Sequence, residues 1–314
     1  TGQTIPLLQG HYTTLQLLAT GIEGNQADQL ITVTYTDGTT AKLKQGFSDW
    51  YAPSINVNEG EAVAMPYRNT AAGTPDNRQF NLYAYSLLLD SNKTVKSFTL
   101  PDNRDIIVIA ATLSALPLGV EINLAKSYNA TGIYTDGSTF PVDGGLDGGG
   151  AAYSANLLDD PTRPGEDVVV GPSKFHLEAA NVPNVVYGAG QTIALPYAVF
   201  SQLKLLGTGV QGDETDQPLT INYTDGTSEK ISQSFSDWSA LGGYSNESLA
   251  IKTAYRDYND GSQDQQAFNV YLYTYTLNTS KRAKSITLPN NRDVLVLSMT
   301  LDQPSAPLAC SSSK

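Results

Sequence analysis

Residues 31–50 read ITVTYTDGTTAKLKQGFSDW, and residues 219–238 read LTINYTDGTSEKISQSFSDW. In the first, Ile31, Val33 and Tyr35 alternate with Thr32 and Thr34, the period of a strand buried on one face. Thr36-Asp37-Gly38-Thr39 then supplies a tight turn, because glycine takes the positive φ of a hairpin without steric cost. Each stretch ends on an aromatic-acidic corner, Phe-Ser-Asp-Trp. The register between the two is constant: Trp238 minus Trp50 is 188, and so is Tyr223 minus Tyr35.

The match extends outward without a gap. Gly2-Gln3-Thr4-Ile5 repeats as Gly190-Gln191-Thr192-Ile193, and Leu15, Leu17 and Leu18 repeat as Leu203, Leu205 and Leu206. Tyr67-Arg68 returns as Tyr255-Arg256, NLYAY (81–85) as NVYLY (269–273), and Leu100-Pro101 as Leu288-Pro289. Residues 106–113 match 294–301. An unbroken register means that every strand and loop kept its length, the mark of one structural unit used twice. Residues 80–89 and 106–113 are apolar on both faces, which predicts central strands. Pro101 and Pro289 fall before the last strand of each copy, where no ladder hydrogen bond is lost. No stretch combines helix caps with a helical apolar stripe. The fold class predicted is all-β: tandem β-sandwich or jelly-roll domains from a gapless internal duplication.

The boundaries follow. Residues 1–116 form a first β-sandwich unit. Residues 117–302 form a second, complete module, with a leading segment at 117–189 and the repeat copy at 190–302. Residues 303–314 are expected to be a flexible tail. The leading segment has strand-like runs at 168–170 and 184–187 and a third Tyr-Thr-Asp-Gly turn at 134–137. Its glycine-rich part, VDGGLDGGG at 142–150, reads as a surface loop. The first copy has no counterpart of this segment, so it is expected to lack its leading half. Thr1 in place of a methionine reads as a processed or cloned start.

Composition narrows the function. The chain has 314 residues, which as a prior suggests about two domains. Lys and Arg number 19 against 31 Asp and Glu, a formal net charge of −12. That disfavours nucleic acid and anionic membranes, which bind cationic faces. No apolar run approaches the roughly 20 residues of a membrane span. A chain rich in Thr, Ser and Tyr and poor in Lys fits a secreted, extracellular β protein. One cysteine, Cys310, permits no disulfide framework within the chain. It reads as an inert tail thiol or as an intermolecular attachment point. Five Asn-x-Ser/Thr sequons, at Asn92, Asn129, Asn222, Asn246 and Asn278, would accept glycans only in a eukaryotic secretory pathway.

Two constellations could carry chemistry. Asp49, Trp50 and Arg68 recur as Asp237, Trp238 and Arg256. A sugar site needs an aromatic face for C–H packing and planar groups for hydroxyls, and these residues supply both. The plain alternative is that Trp fills the sandwich edge and Asp pairs with Arg as a strut. Asp143 and Asp147, with Asp159, Asp160 or Asp167, could gather around Ca²⁺, although the spacing matches no EF-hand loop; a solvated acidic loop is the alternative. Ca²⁺ is the one cofactor left open. The histidines are His11 and His176, and neither is accompanied by a nucleophile elbow, so a hydrolase triad is not expected. A glycosidase needs two facing carboxylates; Asp49, Glu61, Asp237 and Glu247 are available for that role.

INLAKSYNATGIYTDGSTF at 122–140, GGLDGGGAAYSANLL at 144–158 and the repeated YTDGT…FSDW together resemble a known kind of module. They are similar to the β-sandwich accessory modules beside catalytic domains in secreted bacterial and fungal glycosidases and some secreted proteases. The resemblance covers essentially the whole chain, once fully and once in part. It implies carbohydrate binding or an interaction role. The first expectation is therefore a secreted, non-catalytic protein that binds a polysaccharide, another glycan or a cell-surface partner. A second is a structural subunit of an extracellular assembly or head-to-tail filament, joined through strand-edge complementation. A third is a glycoside-active enzyme using Asp and Glu pairs. Neither nucleic acid nor membrane insertion is expected.

Overall fold

The computed structural model describes residues 2–54, 56, 58–115, 119–158, 167–170 and 173–302. The two hairpins quoted above form as expected. Gln26–Tyr35 pairs antiparallel with Thr40–Phe47, and Glu214–Tyr223 with Ser228–Phe235. Gly38 and Gly226 close the two turns at φ 85° and 86°, a region closed to most side chains. Both hairpins carry a bulge at the same place, with Asp28 and Asp216 at φ 56° and 53°. The duplication therefore extends to backbone irregularities.

Each copy is two sheets face to face. In the first, Thr4–Pro6, Val95–Thr99, Gln26–Tyr35 and Thr40–Phe47 make one sheet. Ile106–Ser114, Thr14–Gly21, Phe80–Leu88 and Glu59–Met65 make the other. Alternate residues meet between them: Leu15, Leu17, Ile31, Val33, Phe47, Tyr85 and Phe98 are all buried. The second copy repeats the arrangement with Leu203, Leu205, Leu219, Ile221, Phe235, Tyr273 and Ile286. Among the described residues the chain is all-β apart from one helical turn, Ala155–Leu158.

The copies differ in what lies on the outer face of the second sheet. In the second sandwich the leading segment covers it. Val120–Glu121 and Val186–Tyr187 extend the sheet by pairing with Val294–Asp302. Ala151–Ser154 pairs with Arg256–Tyr258. Leu146, Tyr153, Phe175, Leu177 and Val185 then pack on Leu206, Ile251, Phe268, Val270, Leu295 and Leu297, a second core outside the first.

Two expectations are corrected here. The glycine-rich stretch is not simply a surface loop. Leu146 at its centre is fully buried, and a Cβ on Gly145 (φ 80°) would collide with the Ala151 carbonyl. Those glycines let the backbone turn tightly enough to drive Leu146 inward. Nor is Ile106–Ser114 a central strand: it ends its sheet, next to Thr14–Gly21. Its partner copy, Val294–Asp302, is central only because the leading segment pairs with its far edge.

Candidate functional site

The Phe-Ser-Asp-Trp corner divides its side chains by direction. Phe47 and Phe235 point inward onto Tyr85 and Tyr273, with ring centroids 4.6 Å apart in both copies. Trp50 and Trp238 point outward onto Phe80 and Phe268, at 4.7 and 4.8 Å. The corner is held by backbone bonds, Trp50 N–H to Gly21 O and Trp238 N–H to Gly209 O, 3.0 Å each. Asp49 accepts from the N–H groups of Gly24, Tyr51 and Ala52. Asp237 accepts from Gly212 N–H and from the Ser239 N–H and hydroxyl. Both carboxylates thus tie a loop to the corner, the usual role of an Asp side chain at a turn.

The arginines close over the aromatic pairs. Arg68 lies 5.2 Å from the Trp50 centroid and Arg256 lies 5.0 Å from that of Trp238, within cation–π range. Their ion-pair partners are Asp76 (3.0 Å) and Asp264 (3.1 Å), not Asp49 and Asp237. Arg78 joins Asp76 at 2.6 Å and holds that carboxyl well below the usual range. A strut of Asp with Arg therefore exists, built on an aspartate eight residues after each arginine. Sequence reading missed these aspartates, although their spacing recurs in both copies.

The two copies present this trio differently. Trp238 is buried because Tyr153 of the leading segment meets it edge-on at 5.4 Å. Trp50 is half-buried, beside exposed Tyr51, over whose ring Arg78 sits at 4.2 Å. In the second sandwich, Asp237, Trp238 and Arg256 line one open cleft of about 470 Å³. Asp147, Gln211, Asp213, Ser239 and Gln266 complete its polar wall. The sequence-derived trio is thus joined there by exposed amides and carboxylates.

A carboxyl pair that sequence reading did not single out lies under the leading segment. Asp136, from the third Tyr-Thr-Asp-Gly turn, accepts from the hydroxyls of Ser154 and Tyr255, 2.5 Å each. Its charge acts on Asp257, which is buried. Gln263 reaches both carboxyls. Burial, and then the charge of Asp136, pushes the Asp257 carboxyl up from its ordinary 3.8. Gln263 thus ties a carboxyl of the leading segment to one of the repeat copy. In the first copy Asn69 stands where Asp257 does.

The sign of the pH effect follows. The folded protein keeps a proton on Asp257 at pH values where the unfolded chain has released it. This contribution to stability is whole below the unfolded value and is lost as pH rises through the folded one. The melting temperature of the second sandwich should therefore fall as pH rises from about 4 to about 7. Asp257→Asn should flatten that slope, since an amide does not titrate. Equal slopes in scanning calorimetry would contradict the retained proton.

The remaining sequence candidates are spread apart. Asp147 caps its own loop through Gly149 and Ala151 N–H, and Asp143 is exposed. Asp167 pairs with Lys174 at 2.7 Å and with His176 at 3.2 Å, while Asp159 and Asp160 lie outside the described residues. Among the described residues no group of three or more His, Cys, Asp or Glu side chains is placed to hold a metal. His11 bonds the Ser91 carbonyl. Glu247 accepts from Ser236, Tyr244 and Tyr273, and Glu61 lies exposed on a strand. No hydrogen bond joins Asp49 to Glu61 or Asp237 to Glu247 among the described residues. Cys310 also lies outside them. Among the described residues no helix is long and apolar enough to cross a membrane.

No curated protein matches the chain in sequence. A family model does, twice. The AziU2-like beta-sandwich domain matches residues 1–116 and again 120–305. The second match includes the leading segment; the first begins at strands that correspond to its later part. With the sheets, the paired cores and these two matches together, the chain belongs to the AziU2-like beta-sandwich domain family.

Proposed function

We propose that this is a secreted, non-catalytic tandem β-sandwich protein that binds carbohydrate, in the manner of the accessory modules of secreted glycosidases and proteases. The observation that carries the reading is the cleft around Asp237, Trp238 and Arg256, into which Gln211, Asp213, Ser239 and Gln266 also open. Planar amides and carboxylates at the rim of an aromatic pair suit the in-plane hydroxyls of a sugar ring. Trp238 is too buried to stack on a sugar as a free platform. In this reading the Trp–Phe–Arg stack instead holds the rim rigid, and the exposed amides do the recognising.

Gln211 and Gln266 are exposed, so the double substitution Gln211→Ala/Gln266→Ala should leave the melting temperature unchanged. Two lost hydrogen bonds at about 1 kcal/mol each should weaken binding roughly ten- to thirtyfold. Titration calorimetry on a polysaccharide panel, with and without Ca²⁺, reads this directly. Silence across the panel retires the reading. A second reading, a structural subunit joined through strand edges, draws on the outer edge of residues 106–113, which pairs with no strand among the described residues.

A further inference from the structure

The first sandwich carries the face that the leading segment covers in the second, and leaves it bare. Val63, Ile107 and Ile109 are 44%, 40% and 57% exposed. Their counterparts Ile251, Leu295 and Leu297 are 1%, 0% and 0% exposed, packed under Tyr153, Phe175 and Val185. Val63 lies on one edge strand of the sheet and Ile107 and Ile109 on the other, with half-buried Leu18 and Leu82 on the two strands between. An exposed aliphatic sheet face of this kind marks an interaction surface.

Two unpaired edges frame that face. Among the described residues, 106–113 pair with no strand on their outer side, where Val294–Asp302 pairs with Val120–Glu121 and Val186–Tyr187. Arg68–Asn69 pairs, among the described residues, only with Pro75–Asp76, where Arg256–Tyr258 also receives Ala151–Ser154. The bare face and both edges are the footprint that the described residues of 119–189 fill on the second sandwich. The point of entry matches too. Gly190, which follows the covering segment, donates to the Pro289 carbonyl at 3.0 Å with φ 68°. Gly2 donates to the Pro101 carbonyl at 3.1 Å with φ 60°.

We propose that the outer face of the first sandwich is a docking surface for one occupant: a polypeptide segment built as residues 119–189 are, joined at Gly2 as they are at Gly190. It brings a strand to Ile106–Ser114, a strand to Arg68–Asn69, and a buried aromatic onto Trp50 where Tyr153 meets Trp238. Backbone pairing supplies the register and the aliphatic face supplies the driving force.

The test fuses a second copy of residues 119–189 ahead of Gly2 in the full chain. Carbene footprinting with mass spectrometry reads the labelling of Val63, Ile107 and Ile109, and sedimentation reads the oligomeric state. The unfused chain should be labelled strongly at all three as a monomer. The fusion should cut that labelling tenfold or more, and Ile109→Glu in the fusion should restore it. The added segment is shaped for the second sandwich's own residues. A companion fusion therefore also carries Val63→Ile, Ile107→Leu and Ile109→Leu. Labelling unchanged in both fusions overturns the proposal. So does protection of the unfused chain within a dimer or filament, which would make a second copy the occupant.

Discussion

Tyr153→Ala should destabilise the second sandwich by about 3–5 kcal/mol, the usual cost of emptying a large buried aromatic site. Tyr153 is fully buried, lies edge-on to Trp238, and donates its hydroxyl to the Asn269 carbonyl. Its removal opens a void between the leading segment and the sheet and leaves that carbonyl without its donor. The first sandwich meets the leading segment elsewhere, where Asn58 accepts from Val169 N–H at 2.7 Å, and not at Tyr153. Unfolding should therefore split, with one transition moved down and the other unmoved. The chain has two tryptophans, so in a Trp50→Phe background Trp238 alone reports the lower transition by its emission. Two transitions moved equally would mean that the sandwiches unfold as one.

Asp302→Ala should cost about 3 kcal/mol, because it leaves a buried ammonium without its counter-charge. Lys204 sits on the covered face with its side chain 6% exposed, 2.6 Å from Asp302 and 2.7 Å from the Ser173 hydroxyl. Adding Lys204→Met should recover most of the loss, since a thioether of similar length needs no partner there. In the first copy the same two positions hold Gln16 and Ser114, and Gln16 is half-buried. The charge pair is thus a feature of the covered face. Urea titrations of the single and double variants measure the coupling; additive losses would place Lys204 in solvent instead.

The residues of the hairpins told most of the fold. Period-two alternation at Ile31, Val33 and Tyr35 and the constant register of the copies specify strands and their partners. The apolar faces of residues 106–113 were legible as demanding burial on both sides. Their place at a sheet edge was not, because the sequence does not show which segment supplies the second face. The recurrence of Asp, Trp and Arg marked a real structural corner, but it did not show that Tyr153 buries one of the two tryptophans. The Asp136–Asp257 pair could not be found by spacing, since one residue comes from a turn of the leading segment and the other from a strand of the repeat copy. The third Tyr-Thr-Asp-Gly turn was the available signal. There the aspartate bonds Ser154 and Tyr255, whereas Asp37 and Asp225 cap Thr39 and Thr227.

The central claim is that one sandwich is used twice, with one copy covered and the other bare. Hydrogen–deuterium exchange on the full chain tests it most directly, by comparing Ile106–Ser114 with Val294–Asp302. Among the described residues the first is bonded on one side only and the second on both. The account expects the amides on the outer side of Ile106–Ser114 to exchange orders of magnitude faster than those of Val294–Asp302, which should be among the last to exchange. Equal, slow exchange in the two strands would contradict it.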